Sequence, residues 1–139
     1  MIKYLLDANV LLRFLRGDDA QHSPAARALF SDACDGKCVL ILTEVAVAEA
    51  VWVLNSFYET EREQIAKWLR KVIISAGVRC MKRDEMLDAL HRFATTKCDF
   101  LDCYLAALAA ASGDHVATFD KDFDRFEDIK RWQFKQRSP

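Results

Sequence analysis

Apolar residues along the chain form short unbroken runs and longer stretches with a period near 3.6 residues, and the two kinds alternate. Ile2 to Leu6 is a short apolar run ending at Asp7 and Asn9, the pattern of a buried strand followed by a turn or helix start. Ser23-Pro24 offers an N-cap and a proline at the first helical position, predicting a helix through Ala25, Leu29 and Phe30 to about Cys34, closed by Gly36. Cys38 to Leu42 reads as a second buried strand. Thr43 then caps a helix through Val45, Glu49, Trp52 and Val53 to about Phe57. Thr60-Glu61-Arg62-Glu63 has the form of a capping box ahead of Ile65, Trp68, Leu69, Val72 and Ile73, which repeat with helical spacing. Gly77 ends that helix, and Val78 to Met81 is a short strand.

The second half continues the alternation. Asp84 is the expected cap of a helix with Met86, Leu87, Leu90 and Phe93 on one face, and Asp99 the cap of the next, which runs through Leu105, Ala106 and Leu108 to Gly113. His115 to Phe119 reads as a strand ending at Asp120, and Ile129 to Phe134 as a last one. Strands alternating with helices imply a mainly parallel central sheet covered by helices on both faces, a three-layer α/β/α sandwich. In such sheets sites form beyond the carboxyl ends of the strands, where Asp7 and Asp120 are both expected.

Composition narrows the class. With 139 residues, 52% hydrophobic and 29% charged, one domain spanning 1–139 is expected. The net charge of -1 removes any overall basic excess, so a nucleic-acid surface has to be local. Cys34, Cys38, Cys80, Cys98 and Cys103 are scattered and show no zinc-ligand spacing, which reads as reduced thiols in a cytoplasmic protein, serving as small buried hydrophobes. Met1 to Leu15 is interrupted by Asp7, Asn9 and Arg13 and lacks the form of a signal peptide, and the uncharged run Cys103 to Gly113 is far shorter than the roughly 20 residues a membrane span needs.

The acids placed among apolar residues carry the chemistry. Glu49 stands in Val45-Ala46-Val47-Ala48-Glu49-Ala50-Val51-Trp52-Val53-Leu54, where a solvated face is hard to find. Burying an unpaired carboxylate costs several kcal/mol or more, so such a group takes up a proton, finds a cation or reaches the mouth of a cleft. The alternative is a side chain that bends out to solvent or meets one arginine. Asp7 alone reads equally as an N-cap. Asp99 caps its helix and Asp102 favours its positive end, but neither role accounts for Asp120 and Asp122 at the same end of the sheet.

Two carboxylates 4 Å apart repel by on the order of 4 kcal/mol at an effective dielectric near 20, so several in one cleft call for a divalent cation. An all-oxygen donor set favours Mg2+ or Mn2+ over zinc. His22, His91 and His115 lie outside these segments and the four glycines form no phosphate loop, which removes side-chain nucleophilic catalysis and a nucleotide-binding loop. The chemistry that suits the remaining set is metal-assisted hydrolysis of a phosphodiester. Basic residues should then rim the groove: Arg13 and Arg16 after Asp7, and Lys121, Arg125, Lys130, Arg131, Lys135 and Arg137 after Asp120. Phe57, Tyr58 and Trp132 are aromatic residues that either stack on bases or pack in the core or an interface.

Four segments together resemble a family: Tyr4-Leu5-Leu6-Asp7-Ala8-Asn9-Val10-Leu11-Leu12, the Glu49 helix with Trp52-Val53-Leu54, Asp99-Phe100-Leu101-Asp102-Cys103-Tyr104-Leu105-Ala106-Ala107, and Ala117-Thr118-Phe119-Asp120-Lys121-Asp122-Phe123. Over essentially its whole length the chain resembles the PIN-domain ribonucleases, most of all the VapC-type toxins of toxin-antitoxin pairs. That resemblance implies metal-binding acids at Asp7, Glu49, Asp102 and Asp120, shaping roles for Asn9 and Thr118, and Asp99 and Asp122 as neighbours. It further implies an endoribonuclease using Mg2+ or Mn2+, an RNA substrate, homodimers and a small antitoxin partner whose C-terminal segment inserts near the acidic groove. Ala8 departs from the family, which usually has threonine there; altered tuning, not lost activity, is the expected effect. Competing readings are a housekeeping PIN nuclease, a haloacid-dehalogenase-like phosphatase or receiver domain, and a non-catalytic RNA- or partner-binding module. A dehalogenase-like enzyme would want an aspartate where Asn9 stands.

Overall fold

The computed structural model describes residues 1–135. Its elements, in chain order, are β1 (Ile2–Leu5), α1 (Ala8–Arg16), α2 (His22–Cys34), β2 (Cys38–Leu42), α3 (Glu44–Trp52), α4 (Arg62–Ile73), β3 (Val78–Cys80), α5 (Arg83–Thr95) and α6 (Phe100–Ser112). A π-helical turn, Val53–Phe57, prolongs α3, and a 3-10 turn, Lys121–Arg125, follows α6. The three strands lie in the order β1-β2-β3, all parallel, with Tyr4 opposite Leu40 and Leu42 opposite Cys80. The architecture is the α/β sandwich expected from the alternation of strands and helices.

Strand β2 is central because its neighbours cover it on both edges. Cys38, Leu40 and Leu42 are buried on one face, while Val39 and Ile41 are half-covered on the other. Helix α3 lays Ala46, Val47, Ala50, Val51 and Leu54 into the core, and α4 adds Ile65, Leu69, Val72 and Ile73 at helical spacing. Burying each of these aliphatic side chains contributes on the order of 2 kcal/mol. Four of the five cysteines, Cys38, Cys80, Cys98 and Cys103, are buried and all five are free thiols; burial pushes the Cys80 and Cys103 thiols up to about 11.

Local signals were realised unevenly. Thr43 caps α3, its hydroxyl accepting the Ala46 N–H at 3.2 Å. Ser23 does not cap α2: it is buried within the helix and donates to the Arg13 carbonyl, while the Asp19 carboxylate accepts the Gln21 and His22 N–H groups ahead of the helix. The capping box at Thr60 is not formed either. Glu61 takes the N-cap position of α4 without a side-chain cap bond. Asp84 lies in the first turn of α5, which begins one residue earlier behind Lys82 in the left-handed conformation. Asp99 occupies the N-cap position of α6, as expected, though its side chain makes no cap bond.

The larger departure concerns the last two strands. Among the described residues, His115–Phe119 and Ile129–Phe134 contribute only one parallel bridge, Val116 to Arg131, and neither joins the sheet. The physical reason lies in what holds this segment. Arg92, buried in α5, forms a fork with Asp128 and a further bond with Asp88, with its guanidinium over the Phe126 ring, while Phe123 and Phe126 are buried. These contacts fasten the C-terminal segment to α5. Strand β1 consequently remains at the sheet edge, with Ile2 61% and Leu5 73% exposed.

Candidate active site

Asp7 follows β1 at the carboxyl end of the sheet and takes the N-cap position of α1 in extended conformation. Its backbone carbonyl accepts from Val10 and Leu11, but its carboxylate makes no cap bond. The side chain is exposed and available for other chemistry. Asn9, one helical turn before Arg13, lines a groove between α1 and α2 with Val10, Arg13, His22 and Leu29.

Glu49 is also exposed at the edge of a cavity, one of the outcomes its apolar sequence neighbours left open, although a solvated face was hard to find from sequence. The apolar residues on its own face explain this: Val45 is 76% and Trp52 66% exposed, so that side of α3 is uncovered by the chain itself. Glu49 lines a cavity of about 550 Å³ together with Asp99, Trp52, Asn55, Arg62 and Leu101. Thus α3 and the start of α6 present one acid each to a common space.

Asp102 sits in the first turn of α6, half-buried. Burial and, after it, the charges of Asp99, Asp120 and Asp122 hold its carboxyl above the usual aspartate range. The structure therefore brings these four acids into one electrostatic field, although Asp120 and Asp122 are distant in sequence from Asp99 and Asp102. Local bonds shape the loop that supplies two of them. The Thr118 hydroxyl accepts the Asp120 N–H at 3.0 Å, and the Asp120 carboxylate accepts the Asp122 N–H at 2.8 Å. Asp7 and Glu49 are not among the charges acting on Asp102.

These four aspartates are all carboxylates, and burial first and like charge second raise Asp102; an all-oxygen set of this kind is one that a hard divalent cation suits. Among the described residues, no three acids, histidines or cysteines stand close enough to surround one ion.

The comparison with protein families found a match to the PIN domain over residues 4–129. The chain belongs to the PIN domain family. A comparison with curated proteins found no match. PIN domains are typically nucleases, and PIN nucleases generally use divalent metals. No helix among the described residues is long and apolar enough to cross a membrane.

The basic rim of this PIN domain is only partly free. Arg16 is held by Asp18 and lies over the Tyr58 ring, Arg131 is held by Asp124, and Arg13 lies 3.7 Å from Asp19. Arg125 is exposed; Arg137 lies outside the described residues. Phe57 is exposed, and Trp132 stands in an exposed aromatic cluster with Phe119 and Phe134. Sequence reasoning passed over Arg62, which the fold brings to the wall of the Glu49 cavity. Its only signal was its place in a helix-start motif, which concealed its position against α5.

Proposed function

We propose that this PIN domain is a metal-dependent endoribonuclease, and the toxin of a toxin-antitoxin pair acting in the cytoplasm. The observation that carries the reading is the PIN domain match over residues 4–129, with Asp102 in one electrostatic field with Asp99, Asp120 and Asp122. Asp102 and Asp120 would hold Mg2+ or Mn2+, with Asp7 and Glu49 completing the donor set. Bound there, the ion supplies a Lewis acid and activates water for attack on the phosphodiester.

The chain's own residues prepare that centre. Thr118 fixes the turn that carries Asp120, and the Asp122 N–H orients the Asp120 carboxylate. Burial and the neighbouring aspartates disfavour the ionised Asp102 carboxyl, so positive charge placed beside it favours ionisation. Asn9 contributes a polar group beside Asp7. The uncovered surface of Val45, Trp52, Phe57, Leu101 and Leu105 around the Glu49 cavity supports association with a second copy and with an antitoxin, since exposed apolar area of this kind marks protein interaction sites.

The test is cleavage of a structured RNA by the purified chain. Activity is expected with Mg2+ or Mn2+ and none with EDTA, and Asp7→Asn, Glu49→Gln, Asp102→Asn and Asp120→Asn are each expected to lower it by at least about a hundredfold while leaving the fold intact. Activity that survives EDTA sinks the mechanism. A folded chain that binds RNA and cleaves none under any metal favours the non-catalytic binding module. A neighbouring reading frame encoding a short DNA-binding protein separates toxin from housekeeping nuclease.

A further inference from the structure

Arg62 is the first residue of α4 and is fixed by groups that leave its charge unmatched. Its Nε donates to the Phe93 carbonyl at 2.8 Å, one terminal nitrogen donates to the Cys98 carbonyl, and the guanidinium lies over the Phe93 ring, 3.7 Å from its centre. Among the described residues no carboxylate lies within 4.0 Å of it. The other arginines held by side-chain forks, Arg16, Arg92 and Arg131, all have an aspartate partner. Neutral carbonyls thus hold Arg62 in place without cancelling its charge.

Its position gives that charge a use. Arg62 and Asn55 line the cavity that contains Glu49 and Asp99, and the same two residues line an adjoining open groove of about 1010 Å³ that also contains Lys97 and Arg125. Lys97 is two residues before Asp99, and Arg125 ends the 3-10 turn that starts behind Asp120. Each cation is therefore carried by a segment that also carries an acid of the candidate site. Glu59, Glu61 and Glu63 line the groove as well, so a polyanion is suited only by the part that Arg62, Lys97 and Arg125 supply, called the wall below.

We infer that this wall is a track for the RNA strand, with Arg62 binding a phosphate next to the one hydrolysed and Lys97 and Arg125 binding phosphates beyond it. The inference rests on the nuclease reading. A guanidinium already held by carbonyls and an aromatic ring gives up little conformational freedom on meeting a phosphate, which makes it an effective positioning residue. It touches the strand away from the reacting bond, so it governs binding more than chemistry.

The experiment is a salt-dependent fluorescence-anisotropy titration of the full chain with a short labelled single-stranded RNA in EDTA, followed by cleavage of the same RNA after Mn2+ is added. Arg62→Met keeps the bulk of the side chain and removes its charge. It is expected to weaken binding about tenfold, to reduce the slope of log affinity against log salt by about 0.7, and to raise KM more than it lowers kcat. Lys97→Met combined with Arg125→Met, both at exposed positions, is expected to reduce the slope by about 1.4. This pair decides the matter should Arg62→Met fail to fold. Arg70→Met, on the exposed side of α4, is the control expected to leave affinity unchanged. Parent-like slopes in folded variants overturn the track, as does a parent chain that binds no RNA. A parent that binds with the expected slopes but cleaves nothing overturns the nuclease reading alone.

Discussion

Asp102 is a carboxylate that its surroundings disfavour in the ionised form. Burial and three neighbouring aspartates disfavour its ionised form, so its folded pKa lies above the unfolded value near 3.8. The sign follows directly: the protonated carboxyl is the one the fold favours, and that favourable contribution is lost as pH rises through the folded pKa. In EDTA, Asp102→Asn is expected to raise the thermal midpoint at neutral pH by a few degrees, and the gain should vanish below about pH 3, where the parent is also uncharged. Scanning calorimetry across pH measures it, and a variant less stable than the parent at neutral pH would contradict the argument. Mn2+ is expected to stabilise the parent more than this variant, because only the parent offers the cation this charge. Glu49 was conspicuous in sequence through its apolar neighbours, yet several of those neighbours are themselves exposed.

The elements differ in how tightly each is specified. Thr43 shows a local signal realised in full, and Thr43→Ala is expected to cost about 1 kcal/mol by removing the bond to the Ala46 N–H. Gly77 shows a constraint that only the fold reveals. It adopts a φ of +81°, and a Cβ there would overlap the Ala33 backbone carbonyl where α2 passes the entry to β3. Gly77→Ala is therefore expected to destabilise the domain by about 3 kcal/mol, combining left-handed strain with a backbone collision. Urea unfolding with an unchanged m-value is the check for both variants. Sequence spacing identified Gly77 as a helix stop, but no pattern in one chain could disclose the close approach of α2.

At the scale of the whole molecule, Arg92 ties the segment carrying Asp120 to the rest. Its bonds to Asp128 hold that carboxyl below the usual range, so their contribution is present above the ordinary aspartate value and is lost as pH falls through the folded one. Arg92→Met is expected to lower stability by about 2 kcal/mol at neutral pH and less at low pH, since both carboxylate bonds and the cover over Phe126 disappear. Denaturant unfolding at neutral and acidic pH tests this, with equal losses at both ends counting against the ion pair. The same variant should loosen the Asp120 loop, visible as faster amide exchange over residues 116–128.

The sequence by itself determined the alternation of strands with helices, three of its five expected strands, the positions of five helices to within a few residues, the burial of four of the five cysteines and the resemblance to a PIN nuclease. Those features arise from neighbours along the chain, where hydrophobic period and capping chemistry act locally. The tertiary structure decided the rest. It left His115–Phe119 and Ile129–Phe134 out of the sheet, because Arg92, Phe123 and Phe126 anchor the segment to α5. It placed Asp99 and Asp102 in one field with Asp120 and Asp122, left Glu49 on an open face, and set Arg62 against two carbonyls beside the acids. Each of these depends on groups far apart in sequence meeting in space, and a period or a spacing along one chain does not encode such meetings.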